Sequence, residues 1–207
     1  MQSNKNLNTF RFTNSHKFKF EITEKYLTHL KQIADITSYD NNEYLVFFND
    51  YQKRQKLPFS WTNQEDNQFS YIKDNKKLGY LIYRYKFKNY IKNKIVSEFP
   101  TYVLIELASL CNLRCQMCYQ SDKTFTKKDY MGSMSFDLYK KIIDQLVEGG
   151  TGALTFGSRG EPLMNKEIIK CLRYAKNKFY ELKLITNASF LNEEISHSIL
   201  QNEVNLL

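Results

Sequence analysis

Residues 108–122 read ASLCNLRCQMCYQSD, and Cys111, Cys115 and Cys118 fall within eight positions of that stretch. The fourth cysteine, Cys171, stands far downstream. A disulfide pairs two sulfurs at a restricted geometry, so three crowded thiols make a poor covalent framework. Thiolates held on a metal in a reducing, cytoplasmic setting suit the triplet better.

The surroundings alternate strand and helix. TYVLIELA, just before the cysteines, is a near-continuous apolar run, as in a strand covered on both faces. Ser135 is a good N-cap for a helix whose stripe is Leu138, Tyr139, Ile142, Ile143, Leu146 and Val147, with Gly149-Gly150 ending it. ALTF is a second strand, and Asn165 caps a second helix with Ile168, Ile169, Leu172 and Ala175 inward. LKLIT is a third strand, Asn192 starts a third helix with Ile195 and Ile199 inward, and VNLL begins a fourth strand. Such repeats predict a parallel sheet with right-handed crossovers, functional groups gathering on the loops after the strands.

A structural zinc site takes four protein ligands, typically as two close pairs, and catalytic zinc favours histidine. Here one triplet stands without a nearby histidine, and Cys171 falls among Ile168, Leu172 and Ala175, where it reads as a small packing residue. An iron–sulfur cluster normally takes four thiolates, so three would leave one iron open to a substrate or cofactor.

The 207 residues suffice for one good-sized core or two small ones, and no apolar run approaches the ~20 residues that span a bilayer. MQSNKNLNTF has no apolar h-region, so no secretory signal is expected. The net charge of +8 is concentrated in residues 1–100, with 17 Lys and Arg against 10 Asp and Glu. It is scattered as in YRYKFKNYIKNK, which reads as a solvated face; neither nucleic acid nor membrane is an expected partner.

The grammar changes near Phe99-Pro100. Residues 1–98 are expected to form a small α+β domain of unassigned role. FRFTNSHKFKFEI alternates with period two as a strand or hairpin, EKYLTHLKQIADI has helical spacing, EYLVFF reads as a short buried strand, and FSYIKDNKKLGYLIYRYKF reads as two strands around a turn. His16, His29 and Trp61 read as ordinary surface or packing residues.

CNLRCQMC resembles the C-x3-C-x2-C signature of radical S-adenosylmethionine (SAM) enzymes, placed as in that family directly after the first strand. Two later loops resemble family motifs in the same order. In GSRGEPLM, Gly160-Glu161-Pro162 resembles the end of the Gly-Gly-Glu motif, and in ITNAS, Thr186-Asn187-Ala188 resembles a Thr-Asn-Gly turn. Asn-Leu-Arg between the cysteines and Gly-Glu-Pro-Leu suit the branch with SPASM or twitch extensions. Arg159 stands in place of the first glycine of Gly-Gly-Glu, and Met117 replaces an aromatic before the last cysteine.

The resemblance implies an α/β fold: residues 99–207 as the N-terminal half of a radical SAM (β/α), TIM-like barrel. A family barrel has about six strands, so a piece of a longer protein is expected. It implies a 4Fe-4S cluster on Cys111, Cys115 and Cys118, with SAM chelating the fourth iron. One electron, from a donor such as flavodoxin or ferredoxin, then breaks the sulfonium C–S bond and gives a 5′-deoxyadenosyl radical that abstracts hydrogen. Glu161 would accept from the cofactor's ammonium, Gly160 and Asn187 would line its site, Arg159 would reach its carboxylate, and Met117 would pack near the adenine. The three sulfurs should converge at the end of the sheet, with Glu161 opening toward the same hollow. A peptide or protein substrate is expected first and a carbohydrate or other small molecule second. A metal- or cluster-stabilised binding module without catalysis is the competing reading.

Overall fold

The computed structural model describes residues 22–35, 40–205 and 207. The expected hairpin of Phe10–Ile22 lies almost wholly outside them. Four helices come first: α1 (Glu24–Ile33), α2 (Asn41–Arg54), α3 (Asn63–Tyr71) and α4 (Asp74–Lys92). Thereafter β1 (Tyr102–Ile105), α5 (Phe136–Glu148), β2 (Ala153–Phe156), α6 (Ile168–Ala175), β3 (Glu181–Leu184) and α7 (Glu193–Gln201) alternate.

Two expected strand regions are therefore helical, and the described part of residues 1–98 contains helices without strands. EYLVFF lies inside α2, where Asp40 caps the first turn by accepting from the N–H groups of Asn42 and Glu43 at 2.8 and 3.0 Å. Its buried Tyr44, Phe47 and Tyr51 stand at i, i+3 and i+7, a helical stripe wider than the six-residue window shows. The supposed strands of residues 69–87 belong to α3 and α4. Thr62 and Glu65 form a reciprocal capping box that starts α3. In α4, Leu78, Tyr80, Leu81, Ile82, Tyr83 and Tyr85 are all buried, because the helix is enclosed by its neighbours and the sheet. Burial on every side removes the stripe that would distinguish a helix from a strand.

The sheet is parallel in the order β1-β2-β3, in register from Tyr102–Ala153–Glu181 to Ile105–Phe156–Leu184. Alternation sends Val103, Ile105, Leu154, Phe156, Leu182 and Leu184 to the face that packs on Tyr139, Ile143, Leu172 and Ile195 of the three following helices. Ser135 caps α5 and Asn192 caps α7 through their side chains, at 3.4 Å to Leu138 N and 2.9 Å to Ile195 N. Leu138 and Val147 fall outside the α5 stripe and are exposed. Asn165 is not the cap residue of α6, which begins after Glu167. Its Nδ2 instead donates to Leu107 O and Met134 O, at 2.8 and 2.9 Å, tying the exit of β1 to the entry of α5.

Among the described residues, the opposite face of the sheet is covered only at its lower end. There Tyr80, Tyr83 and Arg84 of α4 converge on Glu181, with Tyr83 Oη donating to Oε2 at 3.1 Å and Arg84 Nη1 to Oε1 at 3.2 Å. Phe87 meets Tyr102 edge-on at 5.9 Å between ring centroids. A Cβ on Gly152 would lie 2.3 Å from the Tyr83 ring, so glycine permits this close approach. Toward the strands' C-terminal ends Leu104 and Ile185 are exposed, so β1 is not covered on both faces as its composition suggests. Asn205 reaches the free edge of β3, donating its N–H to Leu182 O at 3.0 Å, but residues 204 and 205 form no strand.

Candidate active site

The loops leaving β1, β2 and β3 meet at one end of the sheet. The first contains the cysteines and the second, residues 157–161, is pressed against it. Glu161 N–H donates to Leu110 O at 2.8 Å, and a Cβ on Gly160 would stand 2.0 Å from Ala108 O and 2.5 Å from Leu110 O. Gln120, 2% exposed, bridges the same loops by donating from Nε2 to Ser109 O at 2.8 Å and Arg159 O at 2.9 Å. Its Oε1 is buried without a partner among the described residues, an arrangement that costs about 1–3 kcal/mol unless water or a ligand supplies a donor.

Glu161 joins the second loop to the third. It is 2% exposed, so it does not open into a hollow as expected. Oε1 accepts from Leu163 N–H at 2.9 Å and from the Thr186 hydroxyl at 2.6 Å, and Oε2 accepts from Asn187 N–H at 2.7 Å. These contacts draw the carboxylate into the loop junction. Asn187 extends from that junction to the cysteine loop, its Nδ2 lying 3.0 Å from Asn112 Oδ1 and 3.8 Å from Cys111 Sγ. The turn places Ala188 at φ +60°, the conformation natural to the glycine of Thr-Asn-Gly.

Arg159 has a local partner that the sequence reading missed. Its Nη2 lies 2.7 Å from Glu106 Oε1, its Nε 3.0 Å from Oε2, and its backbone N–H also donates to Oε2 at 3.0 Å. Burial pushes the Glu106 carboxyl up, but the hydrogen bonds and charge of Arg159 outweigh it and hold the group below the usual carboxylate range. Strand alternation offered a signal for Glu106, since it continues the face of Tyr102 and Leu104. Met117 is 96% exposed.

Cys111 and Cys118 are half-buried and Cys115 is exposed, all three as free thiols. In chemistry this donor set fits an iron–sulfur cluster with one iron lacking a protein ligand. In arrangement the loop does not gather the sulfurs: among the described residues no three His, Cys, Asp or Glu side chains are grouped to hold a metal ion. Cys171 is excluded from the set. Burial, reinforced by the charge of Glu167, pushes its thiol up to about 12, and it packs at 1% exposure in the core.

Parallel strands followed by helices, with a cysteine triplet after the first strand, define the class as part of a (β/α) barrel carrying a strand-end site. Residues 105–206 match the Radical SAM superfamily, and this part of the chain belongs to that superfamily. Among curated relatives, a tungsten-containing aldehyde ferredoxin oxidoreductase cofactor-modifying protein of Pyrococcus furiosus is 30% identical over 51% of this chain and 29% of its own length. An Fe-coproporphyrin III synthase of Methanosarcina barkeri is 28% identical over 47% of this chain and 23% of its own. A PqqA peptide cyclase of Bradyrhizobium diazoefficiens is 30% identical over 46% of this chain and 24% of its own. The chain thus spans less than a third of the length of each of these three. BtrN in complex with AdoMet and 2-DOIA aligns at a TM-score of 0.46 and 23% identity, covering 53% of this chain and 44% of that one. No helix among the described residues is long and apolar enough to cross a membrane.

Proposed function

We propose that the chain carries the cofactor-binding part of a radical SAM enzyme that acts in the cytoplasm on a peptide or protein. The observation that carries this reading is the junction of three strand-end loops, where the only cysteine triplet sits beside Glu161 and Asn187. Cys111, Cys115 and Cys118 would hold a 4Fe-4S cluster, leaving one iron for SAM. When bound, this pair supplies the one-electron cleavage of a sulfonium C–S bond and the hydrogen abstraction that follows.

The chain's own residues have distinct tasks in this reading. A carboxylate offers about four acceptor sites, and Glu161 uses three internally, which leaves one on Oε2 for the cofactor's ammonium. Gly160 lets the second loop lie against the cysteine loop. Arg159, held by Glu106, supplies a cationic contact at the same end, suited to a carboxylate. Met117, exposed beside the triplet, is available to cover an adenine ring. Residues 1–98 are read as a separate unit, and α4 closes the lower end of the sheet opposite the cysteines, which favours a supporting role for it. A flavodoxin- or ferredoxin-like donor would supply the electron.

The peptide preference draws on the PqqA peptide cyclase relative and on the Gly-Glu-Pro-Leu motif. Anaerobic reconstitution with iron and sulfide tests the cofactor reading. The expected result is an oxygen-sensitive cluster of about four irons, lost in Cys111→Ala, Cys115→Ala and Cys118→Ala and kept in Cys171→Ala. Stoichiometric zinc without sulfide would refute it.

A further inference from the structure

We infer that the side-chain amide of Asn187 donates to the Cys111 sulfur and thereby raises the reduction potential of the iron–sulfur centre this cysteine would help to hold. The inference rests on the cluster reading above. Asn187 is the point at which the third strand-end loop touches the cysteine triplet. Its Nδ2 stands 3.8 Å from Cys111 Sγ, a length suited to a large, diffuse sulfur acceptor, and 3.0 Å from Asn112 Oδ1.

The orientation of the amide follows from its other contacts. Oδ1 accepts from Ser189 N–H at 2.9 Å, so the nitrogen must face the cysteine loop. The backbone is held as well: Asn187 N–H donates to the buried Glu161 carboxylate at 2.7 Å, and Thr186 Oγ1, itself bonded to Glu161, accepts from Ala188 N–H at 2.9 Å. Asn187 is therefore a fixed donor on a braced turn. A donor aimed at a ligating thiolate stabilises the extra negative charge of the reduced cluster, and hydrogen bonds to the sulfurs are among the levers that set cluster potentials. Asn187 is thus a positioning and tuning residue for Cys111, a role separate from contact with SAM.

The test is a redox titration of the reconstituted chain followed by EPR, comparing the parent with Asn187→Leu and Asn187→Gln. The expected result for Asn187→Leu is a cluster of lower midpoint potential. At the parent midpoint its ratio of reduced to oxidised cluster should fall about threefold to tenfold, tenfold corresponding to about 59 mV for one electron. Asn187→Gln, which retains a donor, should recover part of the shift. A residue that merely braces the loop would reduce iron content without moving the midpoint of the clusters that form, and that outcome overturns the inference. If Asn187→Leu takes up no iron, ENDOR on the reduced parent, labelled with nitrogen-15 at asparagine side chains, decides: absence of a coupled amide nitrogen overturns it. Failure of the parent to form any cluster refutes the cluster reading itself, whereas a normal cluster with an unmoved midpoint refutes only the role of Asn187.

Discussion

The α-carbon of Gly160 lies so close to Ala108 that a Cβ would stand 2.0 Å from the Ala108 carbonyl oxygen. Backbone is pressed against backbone here, and no side-chain rotation relieves a clash. Gly160→Ala is therefore expected to cost about 1–3 kcal/mol and to move the cysteine loop away from Glu161. Urea unfolding and iron uptake measured on the same preparation check this; a variant unchanged in both would show that the contact yields freely.

Glu161→Gln keeps the size of the side chain but places an amide where two acceptor oxygens meet three donors. One buried donor is left unmatched, which costs about 1–3 kcal/mol. Affinity for SAM, read from the spectral change of the reduced cluster, should weaken while iron content is retained. Unaltered affinity would remove Glu161 from the cofactor site.

Arg84 bonds Glu65 of α3 and Glu181 of β3, and the three side chains are 11%, 5% and 12% exposed. Arg84→Ala strands two buried carboxylates and is expected to cost about 3 kcal/mol, partly offset because Lys88 remains 2.5 Å from Glu65. Because this cluster lies at the lower end of the sheet, Cys111, Cys115 and Cys118 should still bind iron in folded protein. Loss of iron at full stability would contradict that separation.

Acid should weaken the fold through the same groups. Burial pushes the Glu65 carboxyl up, but the hydrogen bond from Lys88, the Arg84 charge and the Thr62 contacts hold it below the usual range. A carboxyl lowered in the folded state contributes stability above its unfolded pKa and loses it as pH falls through the folded value. Glu65 and Glu106 share this sign, so unfolding midpoints should be flat from about pH 7 to 5 and fall below about pH 4. Glu65→Gln, less stable at neutral pH, should show a shallower acid decline; an equally steep one would assign the effect elsewhere.

Ala188 occupies a left-handed backbone conformation at φ +60°, which costs an L-residue about 1–2 kcal/mol. Ala188→Gly removes that strain and adds unfolded-state entropy, for a net gain of about 0.5–1 kcal/mol. A thermal midpoint raised by a few degrees is the expected reading, and a lowered one would show that the alanine methyl packs usefully.

The strand–helix order after Pro100 could be read from residues 101–207 because its signals are local. Ser135 and Asn192 cap their own helices, and the runs ALTF and LKLI are bounded by turns. The cysteine spacing and the two later loops likewise exposed the family. Local order alone determined which residues lie at the strand ends. Only the tertiary structure decided how those loops engage: the burial of Glu161 under Thr186 and Asn187, the pairing of Arg159 with Glu106, and the bridge by Gln120 join residues tens of positions apart, and no periodicity records them. The helices α2 and α4 were illegible for a related reason. Short windows of aromatic and basic residues fit a strand as well as a helix, and α4 is enclosed on all sides, so its pattern reports the neighbours that bury it and not its own 3.6-residue period.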